Sequence, residues 1–284
     1  RQARREHYPA PYALIDLWQH RPADDQEKLR REAESLVELA RTETAQNLIR
    51  VFFLQEELKG LGTRADFAPQ RVHVVGAGTM GGDIGAFCVY RGMSASLQDL
   101  DMERIRPAME RAEELYRKRL KDADRVSEAM NRLTPDVEGE QVSRADVVIE
   151  AIVEKLDVKR KVFAELEPKL KEDAVLATNT SSIPLDDIAE GLEQPERLVG
   201  IHFFNPVSRM PLVEVVSGSK TAAAQADRAT AFVRAIGKLP VPDTLDMAEL
   251  IKNHQPEPPA VEIDVNKDLA HLAYTGGTTG VSKG

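Results

Sequence analysis

The chain has 284 residues, of which 42% are hydrophobic and 30% charged, a composition typical of a soluble globular protein with about two domains. Its formal net charge of −9 argues against nucleic acid as the main partner. The sequence has neither an apolar run near the roughly 18 residues of a membrane span nor a signal peptide, so we expect no stable membrane insertion and a cytoplasmic location, with mitochondria or peroxisomes left open.

The N-terminal part of the chain has a helical pattern. Residues 1–22 are rich in proline and aromatic side chains, and we expect them to be irregular. Residues 24–58 carry apolar side chains at helical spacing, which predicts a helix that can break near Thr42. We interpret this apolar stripe as core packing. The stripe consists of Leu29, Ala33, Leu36, Val37, Ala40, Ala45, Leu48, Ile49, Phe52 and Phe53.

A glycine-rich turn follows at residues 76–81. A short β-branched run (residues 72–75) leads into Gly76, Gly78 and Gly81, and a helix-compatible run follows. This G-x-G-x-x-G spacing between a strand and a helix is typical of dinucleotide binding, because a pyrophosphate can approach the helix N-terminus. Thr79 and Met80 lie inside the motif and are predicted to line the cofactor site. The alternative interpretation is an ordinary glycine turn.

An acidic residue ends the second predicted strand, residues 94–99. Asp99 lies 23 residues beyond Gly76, near the expected offset of about 20 for the residue that binds the ribose hydroxyls. Because its carboxylate would repel a 2′-phosphate, we predict NAD rather than NADP, although Arg104 and Arg106 lie nearby. Asp101 is the competing candidate, and its alternative role is to cap the following helix.

Strand and helix signals alternate through residues 70–240. This alternation predicts an α/β fold, a Rossmann-like doubly wound sheet that is preceded by a helical linker and followed by an incomplete tail. Downstream of Asp99 the predicted elements are a charged helix at about 102–132, strand 145–153, helix 158–171, strand 174–178, helix 183–192, strands 198–204 and 212–216, and helix 222–236.

His202 ends one predicted strand, and Glu214 lies 12 residues further on, in the next strand. Two adjacent strands could bring the pair into contact, so that the carboxylate orients the imidazole as a general base for alcohol oxidation. The alternative is a structural histidine with an unrelated glutamate. The six histidines show no metal-ligand spacing with one another or with Cys88, so we predict no metal site.

Ser181 and Ser182 follow the predicted strand at 174–178. They can cap a helix that starts at Ile183, a role common for serine. Alternatively, one hydroxyl reaches the cofactor or the substrate.

Four runs in residues 70–240 together resemble the NAD-binding domain of the L-3-hydroxyacyl-CoA dehydrogenase family. The resemblance implies catalytic roles for His202, Glu214, Ser181 and Asn205. It further implies that Glu154 and Lys159 line the cofactor site. The runs are Gly76-Ala-Gly-Thr-Met-Gly-Gly, Ile149-Glu-Ala-Ile-Val-Glu154, Asn179-Thr-Ser-Ser, and His202-Phe-Phe-Asn-Pro-Val with Met210-Pro-Leu-Val-Glu214.

The flanking segments resemble other enzymes. Residues 1–65 are similar to the end of an enoyl-CoA hydratase domain and the linker helix of multifunctional β-oxidation enzymes. Residues 243–284 are similar to AMP-forming acyl-CoA synthetases, with a phosphate-loop-like run at Tyr274–Gly284 in place of the family's helical domain. We therefore expect a fragment that joins two unrelated genes, with domains at 1–68, 69–241 and 242–284 and a poorly packed tail.

The resemblance implies NAD-dependent oxidation of L-3-hydroxyacyl-CoA to 3-oxoacyl-CoA in fatty-acid β-oxidation, with an acyl-CoA as partner and turnover impaired in the fragment. An NAD-binding module without turnover is the first alternative. An acyl-CoA ligase is the second, less favoured one. Acyl chain length and oligomeric state are left open.

Overall fold

The computed structural model describes residues 4–61 and 67–242. The chain divides into two compact units, Arg1–Gly60 and Leu61–Gly284, and each is described by itself. The tail expected at residues 243–284, with its glycine loop, lies outside the described residues. None of the described helices combines the length and apolar character needed to cross a membrane.

The first unit contains three helices, α1 (Pro9–Gln19), α2 (Asp25–Ala40) and α3 (Glu43–Lys59). The expectation of an irregular segment at residues 1–22 is wrong for α1. Its two prolines, Pro9 and Pro11, stand in the first turn of the helix, where the ring presets φ and no backbone N–H is needed. The expected break near Thr42 is confirmed, because the Thr42 hydroxyl caps α3 by accepting the Ala45 N–H at 3.2 Å.

The apolar stripe of residues 24–58 is not core in this structure. Helices α1 to α3 contain no buried residue, and the side chains of Leu29, Leu36 and Phe53 are each about two-thirds exposed. The prediction of core packing is therefore wrong for the described part of the unit. Helical spacing shows which side chains share a face, whereas burial requires another element to cover that face.

The second unit is built on one eight-stranded sheet with the order β3-β2-β1-β4-β5-β6-β7-β8. Its strands are β1 (Arg71–Val75), β2 (Ser94–Gln98), β3 (Leu133–Pro135), β4 (Val147–Glu150), β5 (Val175–Thr178), β6 (Leu198–Phe203), β7 (Leu212–Val216) and β8 (Leu239–Pro242). Its helices are α4 (Thr79–Tyr90), α5 (Met102–Leu120), α6 (Ala123–Asn131), α7 (Leu156–Leu166), α8 (Leu185–Ala189) and α9 (Ala223–Ala235).

The sheet has the strand order of a dinucleotide-binding fold. Strands β1 to β6 are mutually parallel, whereas β7 runs antiparallel to β6 and β8 is parallel to β7. The first six strands follow the order 3-2-1-4-5-6 that is typical of Rossmann sheets. The predicted Rossmann-like doubly wound sheet is confirmed.

Two apolar cores lie on opposite faces of this sheet. Val147 and Ile149 of β4 pack with α4, α5 and α9, whereas Val148 packs with α7 and α8. Since successive residues of a strand point to opposite faces, a buried strand needs apolar residues in an uninterrupted run. This is why β4 and β5 begin with the uninterrupted apolar runs Val147–Ile149 and Val175–Ala177.

The structure differs from the sequence expectation in several elements of this unit. Helix α7 ends five residues before the expected position 171, and α8 is shorter than the helix expected at 183–192. The single helix expected at 102–132 is divided, because Lys121 adopts a left-handed conformation and Asp122 caps the next helix. Strands β3 and β8 were not predicted. The first has three residues. The second contains Pro240 and Pro242, which an edge strand tolerates, and within the described residues β8 has a strand partner on one side only.

Candidate active site

The three motif glycines meet three different steric demands. Gly76 has a φ of +101°, and a Cβ there would lie 2.6 Å from the carbonyl oxygen of Ala151. A Cβ on Gly81 would lie only 1.8 Å from the oxygen of Gly76, so helix and turn touch here. A Cβ on Gly78 would meet no atom of the described residues within 4 Å and would project into open space. The turn therefore leaves room for a ligand beside Gly78.

Helix α4 begins directly at this open space. Gly78 is its N-cap, and no side chain in the described part of the chain caps it. Gly78 and Thr79 are exposed, while Met80 is partly buried against the core. Uncapped N–H groups and the positive end of the helix dipole suit a pyrophosphate, so the turn fits a dinucleotide.

Asp99 lies at the same turn. Its Oδ2 accepts the Ala77 N–H and its Oδ1 accepts the Leu100 N–H, each at 2.8 Å. Each carboxylate oxygen keeps a further lone pair for a ribose hydroxyl. Asp101, the competing candidate, instead caps α5 by accepting the Arg104 N–H at 2.9 Å, as its alternative interpretation predicts.

Arg111 of α5 reaches the glycine turn and was missed by sequence reasoning. Its Nη2 donates to the Gly78 carbonyl at 3.0 Å, and its Nε pairs with Asp83 Oδ1 at 3.3 Å. Burial raises the pKa of Asp83 in spite of this guanidinium. The positive charge of Arg111 therefore partly neutralises Asp83, an acidic residue of α4, the helix whose N-terminus is the expected phosphate position. The highly charged sequence of α5 contained no signal that distinguishes it.

Strand pairing brings His202 and Glu214 together. They face each other in the antiparallel register of β6 and β7, and His202 Nδ1 lies 2.7 Å from Glu214 Oε2. The imidazole is largely buried, the carboxylate is about one-third exposed, and the ring of Phe204 packs against the imidazole at 4.9 Å between centroids. With Nδ1 bonded to the carboxylate, Nε2 is the nitrogen left for a substrate.

The serines after β5 do not cap a helix that starts at Ile183. Helix α8 begins at Leu185, where no side chain of residues 4–61 or 67–242 caps it, and the Thr180 hydroxyl accepts the Ile183 N–H at 3.1 Å instead. This alternative for Ser181 and Ser182 is therefore wrong. Both serines are exposed.

Glu154 organises this serine turn. Its Oε1 accepts the Ser181 N–H at 3.2 Å and the Ser182 hydroxyl at 3.1 Å, and it also accepts the hydroxyl of Thr180. Burial opposes ionisation of Glu154, but the Thr180 hydroxyl and the Lys159 ammonium outweigh it and lower the pKa of Glu154. An ionised Glu154 therefore fixes the turn that carries Ser181.

Lys159 supports Glu154 from inside the protein. The ammonium is buried and lies 2.6 Å from Glu150 Oε1 and 3.1 Å from Glu154 Oε2. The Thr178 hydroxyl donates to Glu150 Oε2 at 2.7 Å. Glu150, which sequence reasoning did not select, is thus a fully buried carboxyl group with an ammonium, a hydroxyl and the Ile152 N–H as partners. Lys159 is therefore buried, whereas Glu154, which its ammonium contacts, is exposed.

The predicted site residues follow parallel strands at one edge of the sheet. Gly76 follows β1, Asp99 follows β2, Glu154 follows β4, Ser181 follows β5 and the exposed Asn205 follows β6. The carboxyl edge of such a sheet is where open α/β folds bind ligands. One edge therefore carries both the nucleotide-binding features and the His202–Glu214 pair.

Residues 71–244 match the family model described as 3-hydroxyacyl-CoA dehydrogenase, NAD binding domain. The chain belongs to this family. The cofactor of the domain is NAD, and Gly78, α4 and Asp99 have the geometry that suits it.

Three solved structures are similar to this chain. The 3-hydroxybutyryl-CoA dehydrogenase from Escherichia coli K12 is 36% identical over 62% of this chain and 38% of that chain, with a TM-score of 0.59. FadB2 from M. tuberculosis is also 36% identical, over 62% of this chain and 64% of that chain, with a TM-score of 0.59. The dehydrogenase part of multifunctional enzyme 1 from C. elegans is 30% identical over 62% of this chain and 41% of that chain, with a TM-score of 0.57. This chain thus spans less than two thirds of these relatives.

Proposed function

We propose that this chain carries the NAD-binding half of an enzyme that oxidises L-3-hydroxyacyl-CoA to 3-oxoacyl-CoA in fatty-acid β-oxidation. The observation that supports the proposal most is the 2.7 Å contact between His202 Nδ1 and Glu214 Oε2. This pair stands at the sheet edge that also carries the glycine turn and Asp99. The proposed partner is an acyl-CoA.

In the proposed reaction, His202 is the general base. Its Nδ1–H donates to Glu214, so the Nε2 lone pair can accept the proton of the substrate's C3 hydroxyl. Glu214 holds the ring in this tautomer and stabilises the imidazolium that forms. The chemistry that the bound cofactor supplies is acceptance of the hydride from C3. General-base catalysis of this kind contributes about 10²–10⁴-fold to rate.

Ser181 and Asn205 are proposed to hold the substrate oxygen. Both are exposed beyond the carboxyl ends of strands, and both side chains can donate a hydrogen bond. Such donors stabilise the charge that develops on the oxygen as the proton leaves. Glu154 is proposed to be a positioning residue for Ser181, since it accepts the Ser181 N–H.

The flanking segments carry separate proposals. We infer from the resemblance that residues 1–68 derive from a hydratase-like domain and its linker. Residues 242–284 are proposed to be a segment that is similar to acyl-CoA synthetases. We propose that this segment lacks adenylation activity. ATP–pyrophosphate exchange with a fatty acid present would contradict the latter proposal.

The full chain tests the dehydrogenase proposal. We expect NADH binding by fluorescence, and NADH oxidation with acetoacetyl-CoA that disappears in His202→Ala. The control is His7→Ala, which alters an exposed histidine of the first unit. In the reverse direction, only the L enantiomer of 3-hydroxybutyryl-CoA should reduce NAD. NADH binding without any turnover would favour the NAD-binding module, and turnover that survives in His202→Ala would refute the mechanism.

A further inference from the structure

Lys238 is a buried cation that contacts the connection between the two proposed catalytic strands. The residue is 5% exposed. Its Nζ donates to the carbonyl of Val207 at 2.5 Å and to the carbonyl of Met210 at 2.6 Å. Both carbonyls belong to the segment that joins β6 to β7. The ammonium therefore binds the backbone that lies between His202 and Glu214.

The local sequence explains why Lys238 is held in place. Helix α9 ends in a Schellman motif, in which Gly237 has a φ of +71° and donates its N–H to Arg234. The Lys238 N–H donates to Val233 at 3.1 Å, and the chain then enters β8 beside β7. The backbone of Lys238 is thus fixed on both sides, and its side chain starts from a defined point.

On the side away from the two carbonyls, the Lys238 ammonium has an apolar environment. The Phe87 ring lies 4.1 Å from Nζ, a distance suited to a cation–π contact. Burial lowers the pKa of Lys238 to about 8. Cys88 partly offsets this decrease, and the nearby positive charge of Arg91 reinforces it. Burying a cation is unfavourable unless its partners compensate. Here two backbone carbonyls and an aromatic face are the compensation.

The segment that Lys238 binds is a compact turn. The N–H groups of Arg209 and Met210 both donate to the Pro206 carbonyl, at 2.9 and 3.0 Å. On the outer side, Arg119 of α5 donates to the Ser208 carbonyl at 3.3 Å. Two cations from separate elements thus fix the turn between β6 and β7.

We propose that Lys238 is a positioning residue for the His202–Glu214 pair. By fixing the Val207–Met210 turn, it sets the approach of β6 and β7 that places the imidazole and the carboxylate 2.7 Å apart. The kinetic consequence rests on the proposed function, whereas the geometric consequence does not. The rival explanation is that Lys238 only fills space in the core.

The first test is Lys238→Met, which keeps the length of the side chain but removes the donor. Its matched control is Lys220→Met, because Lys220 is exposed. In ¹⁵N-histidine spectra without substrate, assigned with His202→Gln, we expect the wild type to show the Nδ1-protonated tautomer of His202. We expect Lys238→Met to lose this signature and Lys220→Met to keep it. Lys238→Arg, which restores a donor, should recover part of it.

Kinetics provide an independent readout. Because a misplacement of about 1 Å can reduce rate about 10²-fold, we expect kcat of Lys238→Met to fall about 10- to 100-fold. NADH affinity should stay within about twofold, since the turn does not belong to the glycine loop. If the wild type shows no turnover, the proposed function fails, and the His202 spectrum still decides the role of Lys238.

A folded Lys238→Met with an unchanged His202 spectrum would overturn the proposal. If Lys238→Met does not fold, Arg119→Met replaces it, because Arg119 is exposed and contacts the same turn from outside. We expect Arg119→Met to change the His202 signature in the same direction by a smaller amount. No change in that variant would then overturn the proposal.

Discussion

Glu214→Gln is the sharpest test of how the proposed catalytic pair works. The substitution keeps the shape of the side chain and an oxygen that can accept from His202 Nδ1, but it removes the negative charge. A hydrogen bond to a charged group contributes about 1.5–3 kcal/mol, or about 10- to 150-fold in rate. Because the Glu214 side chain is 35% exposed, solvent screens part of this charge and we expect the lower half of the range.

The expected result is therefore a decrease in kcat of about 10- to 50-fold, with NADH affinity and KM nearly unchanged. The loss appears in kcat because the charge matters most when His202 becomes an imidazolium. The assay is NADH oxidation with acetoacetyl-CoA over a range of substrate concentrations. Glu196→Gln is the control, since it removes the same charge from an exposed site.

One result would refute this reasoning. If Glu214→Gln retained a kcat within twofold of wild type while His202→Ala abolished turnover, the carboxylate would not contribute through its charge. A decrease of the same size in Glu196→Gln would indicate a general effect of net charge instead. Circular dichroism of each variant confirms that the comparison is made between folded proteins.

Three further predictions concern the cofactor site and its support. Gly81→Ala should prevent stable folding, because the new Cβ would lie 1.8 Å from a backbone oxygen, whereas Gly78→Ala should fold and bind NADH less tightly; thermal melts and NADH titrations separate the two outcomes. Asp99→Asn should raise NADPH affinity relative to NADH by about tenfold, since the charge that repels a 2′-phosphate is gone, and equal loss for both nucleotides would contradict this. Lys159→Met should destabilise the fold by about 3–5 kcal/mol in denaturant titrations, because it leaves the buried Glu150 carboxylate without its cation; a loss below about 1 kcal/mol would refute that role.

The nucleotide-binding turn could be predicted because its chemistry is local. Gly76, Gly78 and Gly81 lie within six residues, and their spacing already dictates a strand, a turn and a helix start. Asp99 follows from the length of one strand–helix–strand unit. The contact between His202 and Glu214 was also accessible, since consecutive strands with a short connection usually pair.

The positions of other side chains near the site depend on tertiary packing, which no local sequence pattern specifies. Arg111 is one of many charged residues in α5, and only the packing of α5 against α4 brings it to the Gly78 carbonyl. The same holds for Lys238, whose carbonyl partners lie about 30 residues earlier in the chain. Whether a charged side chain is solvated or buried depends on the elements that surround it, and the residue type alone does not determine this.

The sequence by itself determined the alternation of strands and helices in the second unit, the glycine turn, its acidic partner and the strand positions of His202 and Glu214. These features follow from dihedral preferences, apolar periodicity and spacing, which act over a few residues. Only the tertiary structure decided that Lys159 is buried, that the stripe of α2 and α3 is exposed, and which backbone groups receive Arg111 and Lys238. Burial and ion pairing depend on distances between elements far apart in the chain, and the fold alone sets those distances.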